Sequence, residues 1–395
     1  VSAPGQESAA RERLVRRARE QFGRSFGGEA RVALGPGRVN LIGEHTDYND
    51  GWVLPMAIER AAVFAFARRP DRRLRVHATA YGETREVDLD LLRPPGGSEW
   101  IAYVAGVAWA LREAGHDVPG LDAVVDGDVP LGAGLSSSAA LEMAAARAFA
   151  AAGGITWDAT AMARLGQRAE NAYVGVNCGL MDQMASAVCR EGCALLLDCR
   201  TLETEPVAVP QGAAVVVMDT GARRSLAASA YNDRRAACEA VVAVLAAGRP
   251  HVRALRDVDD ETLAAAEERL DPVAFRRARH VVAENRRPLE MARALRKGDL
   301  AEAGRLMNAS HESLRGLYEV SSPELDLVSG LARSHPDCFG ARMTGAGFGG
   351  CAVALVSADR VEAFSRSVHA AYREKVDLPS AFFACRPAAG ARIVE

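Results

Sequence analysis

Residues 130–143 read PLGAGLSSSAALEM. Two glycines and three consecutive serines (Ser136, Ser137, Ser138) run into an uninterrupted helix-forming stretch. Glycine lets a backbone approach a ligand closely, serine hydroxyls donate or cap, and the unpaired N–H groups of a first helical turn attract phosphate. No lysine follows the loop, so it is not a Walker A. It also lacks the GxGxxG and downstream acidic residue of a dinucleotide fold. Two common nucleotide-binding architectures are thereby excluded. Taken alone, the serines are equally compatible with simple N-capping of a long helix. Lysine occurs only at Lys297 and Lys375 in the whole chain. Any fixed cation handling a phosphate is therefore an arginine, a metal ion or a helix N-terminus.

Upstream, residues 37–51 read GRVNLIGEHTDYNDG. Arg38, Asn40, Glu44, His45, Asp47, Tyr48 and Asn49 crowd a stretch otherwise apolar and Gly-rich. After Leu41 and Ile42, two carboxylates and an imidazole fall within four residues, more polar groups than a packed turn needs. An Asx-rich surface turn would account for the turn residues; a polar pocket for a polyol accounts for the whole cluster. Downstream, the glycine cluster MTGAGFGGCAVALV at 343–356 runs straight into an apolar strand, as a tight β-turn would. In CGLMDQMAS at 178–186, Asp182 sits on an apolar, methionine-flanked segment where an unpaired buried carboxylate would be costly.

The chain has 395 residues, 49% hydrophobic, with a formal net charge of −3. That length supports two domains with their own cores. The slight acidic balance argues against a nucleic-acid partner, which calls for a basic surplus. The eight cysteines form no CxxC pair and have no His at metal-ligand spacing, so neither a zinc site nor a disulfide framework is expected and a reducing cytosol fits. Residues 7–21 alternate arginine and glutamate, and no later run reaches transmembrane length. A cytoplasmic protein without a membrane partner is expected.

Periodicity predicts a disordered tip at 1–5, an amphipathic helix over 9–22 covering a sheet, and short strands at 31–34, 52–58, 61–67, 73–79 and 85–89. A helix over 100–114 and a strand just past Val124 follow. Helices over 136–152, 157–173 and from about Gly179 should cover one sheet face. Strands at 194–198 and 214–219 bracket a turn-rich stretch near 206–211, where the domain boundary is placed. Helices are expected over 228–247, 260–269, 274–284, 299–309, 323–334 and 359–373, with strands at 351–356 and 381–386.

The 37–51 segment resembles the sugar-binding signature of galactokinases, in the GHMP family of small-molecule kinases. The 130–143 loop and the 343–356 cluster resemble the second and third GHMP signatures, the latter a loop that closes over the active site. YNDRR at 231–235 and HESLRGLYEVSSPELD at 311–326 are similar to galactokinases in particular. The resemblance implies an α+β, two-domain GHMP kinase fold: a ribosomal-S5-like domain over 1–205 carrying the sugar signature and phosphate loop, and a ferredoxin-like α/β sandwich over 206–395. It implies phosphorylation of the anomeric hydroxyl of α-D-galactose by ATP with Mg²⁺; a monomer is expected. An N-acetylgalactosamine or arabinose kinase and a non-catalytic galactose sensor are the alternatives. By the same resemblance Asp182 is the base and Arg38 faces it. Glu44, His45, Asp47, Gly179 and Tyr231 join them around the sugar. Gly132, Ala133, Gly134, Leu135, Ser136, Ser137 and Ser138 cradle the ATP phosphates, and Ser138 with Glu170 takes the metal. The sequence departs from the family pattern at Arg223 and Arg224, before Ser225, and at Trp52, which bears on the lid and the sugar-pocket wall.

Overall fold

The structure is a computed structural model describing residues 4–223 and 227–394. Helix α1 (Pro4–Phe26) precedes strands β1 (Arg31–Asn40), β2 (Trp52–Val53), β3 (Pro55–Arg68), β4 (Arg73–Ala78) and β5 (Glu83–Asp88). Helix α2 (Trp100–Glu113), strand β6 (Leu121–Gly127) and helices α3 (Ser137–Gly153), α4 (Ala159–Arg168) and α5 (Met181–Val188) complete the first half. Strands β7 (Cys193–Asp198), β8 (Thr204–Ala208) and β9 (Ala213–Asp219) follow. Then come helices α6 (Ala227–Ala246), α7 (Asp260–Ala264), α8 (Pro272–Glu284), α9 (Arg287–Lys297), α10 (Leu300–Ser313) and α11 (Pro323–Arg333). Strands β10 (Cys338–Met343) and β11 (Cys351–Ser357), helix α12 (Val361–Arg373) and strands β12 (Ala381–Cys385) and β13 (Arg392–Val394) close the described chain.

The first sheet has the order β13-β1-β3-β6-β4-β5. Both faces of its strands β1 and β3 are buried, and these read as near-continuous apolar runs, while β5 at the edge is largely exposed. Val32, Leu34, Val63, Ala65 and Val124 pack against Leu14, Val15, Ala18 and Phe22 of α1. The alternate positions Ala33, Phe64, Phe66 and Ala123 face the core under α2 and α3. Helix α3 lies directly on β1: a Cβ on Gly35 would stand 2.1 Å from the Ala140 carbonyl oxygen. That close approach brings the loop ahead of α3 beside the end of β1, where the Arg38 amide donates to the Leu135 carbonyl at 3.1 Å.

A three-stranded sheet, β2-β7-β8, links this half to the antiparallel four-stranded sheet β10-β11-β9-β12. Val215, Val217, Val353 and Leu355 turn one face of the latter into the core shared with the first half. Val216, Met218, Ala352 and Ala354 turn the other toward α6, α8, α11 and α12. Strand β13 crosses back to pair with β1, Val32 opposite Val394.

Several elements differ from expectation. The strands expected at 52–58 and 61–67 are instead the short β2 and the continuous β3. Glu59 and Arg60 lie within β3, opposite a register shift of β1 between Pro36 and Arg38, where they tolerate half-exposure. Residues 204–208 pair as β8, although their charged and threonine side chains read as turn. Helix α9 was masked by its Arg-rich outer face; it buries Pro288, Met291, Ala292 and Leu295. Strand β10 is glycine-interrupted and short. The helix expected over 157–173 leaves α geometry after Arg168 and finishes as a π turn, Ala169–Val174. The expected tip is helical from Pro4, with residues 1–3 outside the described residues. Helices α3 and α5 pack on the sheet, while α4 packs on α2, α3 and α5. Among the described residues no helix is long and apolar enough to cross a membrane.

Candidate active site

Asp182, in the first turn of α5, stands where the phosphate loop meets the end of β1. Its Oδ1 accepts from Arg38 Nε at 2.8 Å and Nη2 at 2.7 Å, and its Oδ2 accepts from Ser136 Oγ at 2.5 Å. Arg38 Nη1 donates to the Gly134 carbonyl at 2.6 Å. The Asp182 side chain is 25% exposed and Arg38 only 5%, so the guanidinium is a buried support and the carboxylate faces open space. Ser136 is left-handed (φ 56°) and makes no side-chain capping bond to α3. Simple N-capping therefore does not describe this serine: its hydroxyl is spent on Asp182 and the helix N-terminus stays open. A non-glycine residue in that conformation costs about 1–2 kcal/mol.

Asp182 borders a cavity of ≈ 260 Å³ that also contacts Glu44, His45, Asp47, Gly179 and Tyr231. The structure thus brings together all seven residues expected around the sugar. The cavity is at the small end for ligand sites, which suits a small polar molecule. Asp47 opens a 3₁₀ turn, Asp47–Asn49, and Gly179 is pressed against it: a Cβ there would stand 1.7 Å from Asp47 Oδ2. Burial first, then the Asp182 carboxylate, pushes Asp47 up to about 7.

His45 occupies a left-handed position, φ 64°. Its Nδ1 shares a hydrogen bond with Tyr48 Oη at 2.8 Å, which in turn shares one with Tyr318 Oη at 2.8 Å. The rings of Tyr231 and Tyr318 lie 5.6 Å and 4.7 Å from the imidazole. Burial, reinforced by nearby His280, lowers His45 to about 3, so the ring is neutral. Its Nε2 is buried, and the Ala346 backbone lies within hydrogen-bonding reach of the ring.

Glu44 is committed on one side. Its Oε1 accepts from the Gly345 amide at 2.7 Å, Thr344 Oγ1 at 3.2 Å and the fully buried Arg342 at 3.3 Å. Behind it, Glu284 Oε1 accepts from the Gly43 and Glu44 amides at 2.9 Å and 3.3 Å. Burial alone would raise Glu284, but His280, Arg287 and Arg342 outweigh it and hold this carboxylate at about 2. The sugar signature is thereby fastened to the second half of the chain.

Glu170, buried in the π turn, lines the same cavity as Asp182. Its Oε2 accepts from Gln183 Nε2 at 2.7 Å and from Cys178 Sγ at 3.4 Å, and Ser138 bonds the same carboxyl group. Burial first, then Asp182, raises Glu170 to about 7. Glu142, one helical turn beyond Ser138, is also fully buried. It accepts from Gln183 Nε2 at 2.9 Å, and burial followed by the Glu170 charge drives it well above the carboxylate range. No group of three or more His, Cys, Asp or Glu placed to hold a metal occurs among the described residues.

The third glycine cluster packs backbone to backbone on the phosphate loop. A Cβ on Gly345 would stand 2.8 Å from the Gly134 oxygen, and one on Gly350 would stand 2.8 Å from the Ala133 oxygen. A second cavity of ≈ 190 Å³ lies between the two loops, with Arg223 at its edge. Arg223 is paired with Asp219 at 2.7 Å. Arg224 and Ser225 lie outside the described residues. Trp52 supports the site from behind: its carbonyl accepts from Thr46 Oγ1 at 2.8 Å and its ring lies under Arg256. Sequence reasoning missed Glu142, Gln183, Glu284, Arg342 and Tyr318. Each lies on an apolar helix or strand face, and a buried-pattern position holding a polar residue was the available signal.

Residues 20–68 match the galactokinase galactose-binding signature, residues 102–190 the GHMP kinases N-terminal domain and residues 291–374 the GHMP kinases C-terminal domain. The chain is 47% identical over 373 residues to a galactokinase of Roseiflexus sp. strain RS-1, covering 94% of this chain and 95% of the relative. It is 48% identical over 334 residues to a galactokinase of Chloroflexus aurantiacus, covering 85% and 86%. The crystal structure of Lactococcus lactis galactokinase complexed with galactose superposes with a TM-score of 0.90 at 36% identity, covering 95% of this chain and 98% of that one. Methanococcus jannaschii mevalonate kinase, at TM-score 0.64 and 16% identity over 91% and 99% of the two chains, shares the fold.

Proposed function

The chain belongs to the galactokinase family of GHMP kinases, and from that premise we propose how its cleft performs the reaction. It transfers a phosphoryl group from ATP to galactose, giving galactose 1-phosphate.

In this reading galactose occupies the ≈ 260 Å³ cavity with its α-anomeric hydroxyl toward Asp182. Asp47, His45, Tyr231 and the outward oxygen of Glu44 take the remaining hydroxyls, with Gly179 as the wall that only glycine can form. His45 lines the cavity with a neutral ring that a sugar hydroxyl would hydrogen-bond. Sites built this way reject an analogue that misplaces a hydroxyl, because buried protein groups are then left unpaired.

Phosphoryl transfer asks mainly for positioning and charge stabilisation. Arg38, bonded to Asp182, stabilises charge developing on the attacking oxygen. Asp182 takes the hydroxyl proton. Residues 132–138 and the open N-terminus of α3 hold the phosphates through main-chain amides. The bond from Ser136 to Asp182 ties the base to that loop, so base and phosphate are held in register.

Ser138 and Glu170 would hold Mg²⁺, a hard-oxygen pair of the kind that ion accepts alongside phosphates and waters. Glu170, raised to about 7 by burial and a neighbouring carboxylate, is a group whose charge a cation would offset. When bound, the ion neutralises charge on the β- and γ-phosphates.

The two halves divide at residue 205/206 into a ribosomal-S5-like and a ferredoxin-like domain, with β13 returning to the first. The four-stranded antiparallel sheet backed by helices supports the second assignment. A monomeric cytoplasmic enzyme acting on small molecules completes the reading, in keeping with the net charge of −3.

One observation carries this reading: Asp182 is held by Arg38 on one oxygen and by the phosphate loop on the other, at the edge of a hydroxyl-matching cavity. A coupled ADP-release assay over a panel of hexoses and pentoses tests it. Turnover with galactose far above that with glucose is expected; equal rates with both would overturn the pocket assignment.

A further inference from the structure

Glu142 and Gln183 take no part in the chemistry described above, yet both are fully buried behind Glu170. Glu142 follows Ser138 by one turn on α3, and Gln183 directly follows Asp182 on α5, so each rides a helix that carries a working residue. An amide nitrogen has two hydrogens. Gln183 Nε2 places one on Glu142 Oε2 at 2.9 Å and the other on Glu170 Oε2 at 2.7 Å. Cys178 Sγ lies 3.4 Å from that same oxygen, but its single hydrogen has a nearer acceptor in Asn171 Oδ1 at 3.2 Å. Glu170 Oε2 is therefore tied back by the Gln183 amide, which does not engage Oε1. The space for this arrangement is kept by Gly166 of α4, where a Cβ would stand 2.4 Å from Met143 Cε and 3.2 Å from Gln183 Cγ.

A packing role alone does not account for these residues. Glu142 Oε1 and Gln183 Oε1 are buried without a partner among the described residues, and such groups cost free energy that apolar side chains of similar volume would avoid. What apolar side chains could not do is fix which oxygen of Glu170 turns inward. We propose that Gln183, braced by Glu142, is a positioning residue that orients Glu170 toward Ser138 and so sets the affinity for the divalent cation carried with ATP. This rests on the reading of Glu170 as a metal-holding residue.

The test measures Mn²⁺ binding by electron paramagnetic resonance, on the full chain with a non-hydrolysable ATP analogue, and galactose binding by calorimetry. Gln183→Met is expected to weaken Mn²⁺ binding by about tenfold or more, as loss of a supporting hydrogen bond to a metal ligand does, with galactose affinity unchanged. Glu142→Gln keeps an oxygen to accept from Gln183 and is expected to bind Mn²⁺ as the parent does. Should Gln183→Met fail to fold, Gln183→Asn, which keeps the amide and shortens its reach, is read the same way. Parental Mn²⁺ affinity in the Gln183 variant, an equal loss of galactose affinity, or a Glu142→Gln variant as weak as Gln183→Met would overturn the proposal. Glu170→Ala separates the two readings: if it binds Mn²⁺ normally, the assignment of Glu170 fails and the brace with it; if it does not, and the Gln183 variant does, the brace alone fails.

Discussion

Ser136 and Asp182, 46 positions apart, are joined by a 2.5 Å hydrogen bond from the serine hydroxyl to Oδ2. The serine reaches it from a left-handed backbone that offers α3 no side-chain cap. Local strain is thus accepted in a residue of the phosphate loop, and in return the acid group has one orientation relative to that loop. In the proposed reading, reaction geometry is set before any ligand arrives.

Asp182→Asn keeps the size of the side chain and removes its ability to take a proton. Turnover is expected to fall by roughly 10²- to 10⁴-fold, the usual contribution of a positioned base, while galactose and ATP still bind. Steady-state ADP release with calorimetric binding checks both halves; near-parental turnover would remove Asp182 from the chemistry.

The Asp47 carboxyl, pushed up to about 7, is neutral below that value and charged above it. Galactose affinity, attributed in part to Asp47 as acceptor, is expected to strengthen as pH rises from about 6 to about 8. Asp47→Asn should flatten that profile, and an unchanged profile would exclude Asp47 as its source. The sign for stability is opposite. Between the ordinary aspartate value of 3.8 and about 7 the folded chain holds a proton that the unfolded chain has released, so this contribution is lost as pH rises through that window.

Glu44→Ala would leave the fully buried Arg342 without its charge partner and the Gly345 amide without an acceptor. Breaking a buried pair from one side costs about 3–5 kcal/mol, to be read by denaturant unfolding. Glu44→Gln keeps an oxygen for both donors and should lose less. Equal stability of the alanine variant and the parent would show that this contact does not hold the two halves together.

Gly179→Ala would set a methyl group 1.7 Å from Asp47 Oδ2. Displacing that carboxylate should weaken galactose binding by about 1–3 kcal/mol, the range for overpacking a tight site. Gly23→Ala is the control: its Cβ meets nothing within 4 Å, and on helix α1 it should add up to about 1 kcal/mol of stability without touching affinity. Calorimetry on the two variants separates a local effect from a general one.

The catalytic half of the site was legible because its residues sit in short turns or in the first turns of helices, where apolar neighbours made Glu44, Asp47, Asp182 and the serine run conspicuous. Gly179 and Tyr231 came from resemblance, since a lone glycine and a lone tyrosine carry no spacing signal. The supporting half was not legible. Glu142 sits in an alanine-rich helix and Glu284 in an arginine-rich one, and a linear pattern does not say which polar side chain turns inward. The fold failed to read where tertiary pairing overrode local preference: β8 is stabilised by its partner β7, and β3 carries charged Glu59 and Arg60 through a strand because β3 itself bulges there, between Ala57 and Ala61, opposite Pro36 to Arg38 of β1.

Strand β13 has a temporal consequence. Its partner β1 lies more than 350 residues earlier, Val32 against Val394, so during synthesis the flank of β1 waits, its peptide groups uncapped, until nearly all of the remaining chain has left the ribosome. An uncovered strand of that kind invites pairing with neighbouring nascent chains. Arg31, at the outset of β1, places charge beside that edge for the interval before β13 covers it.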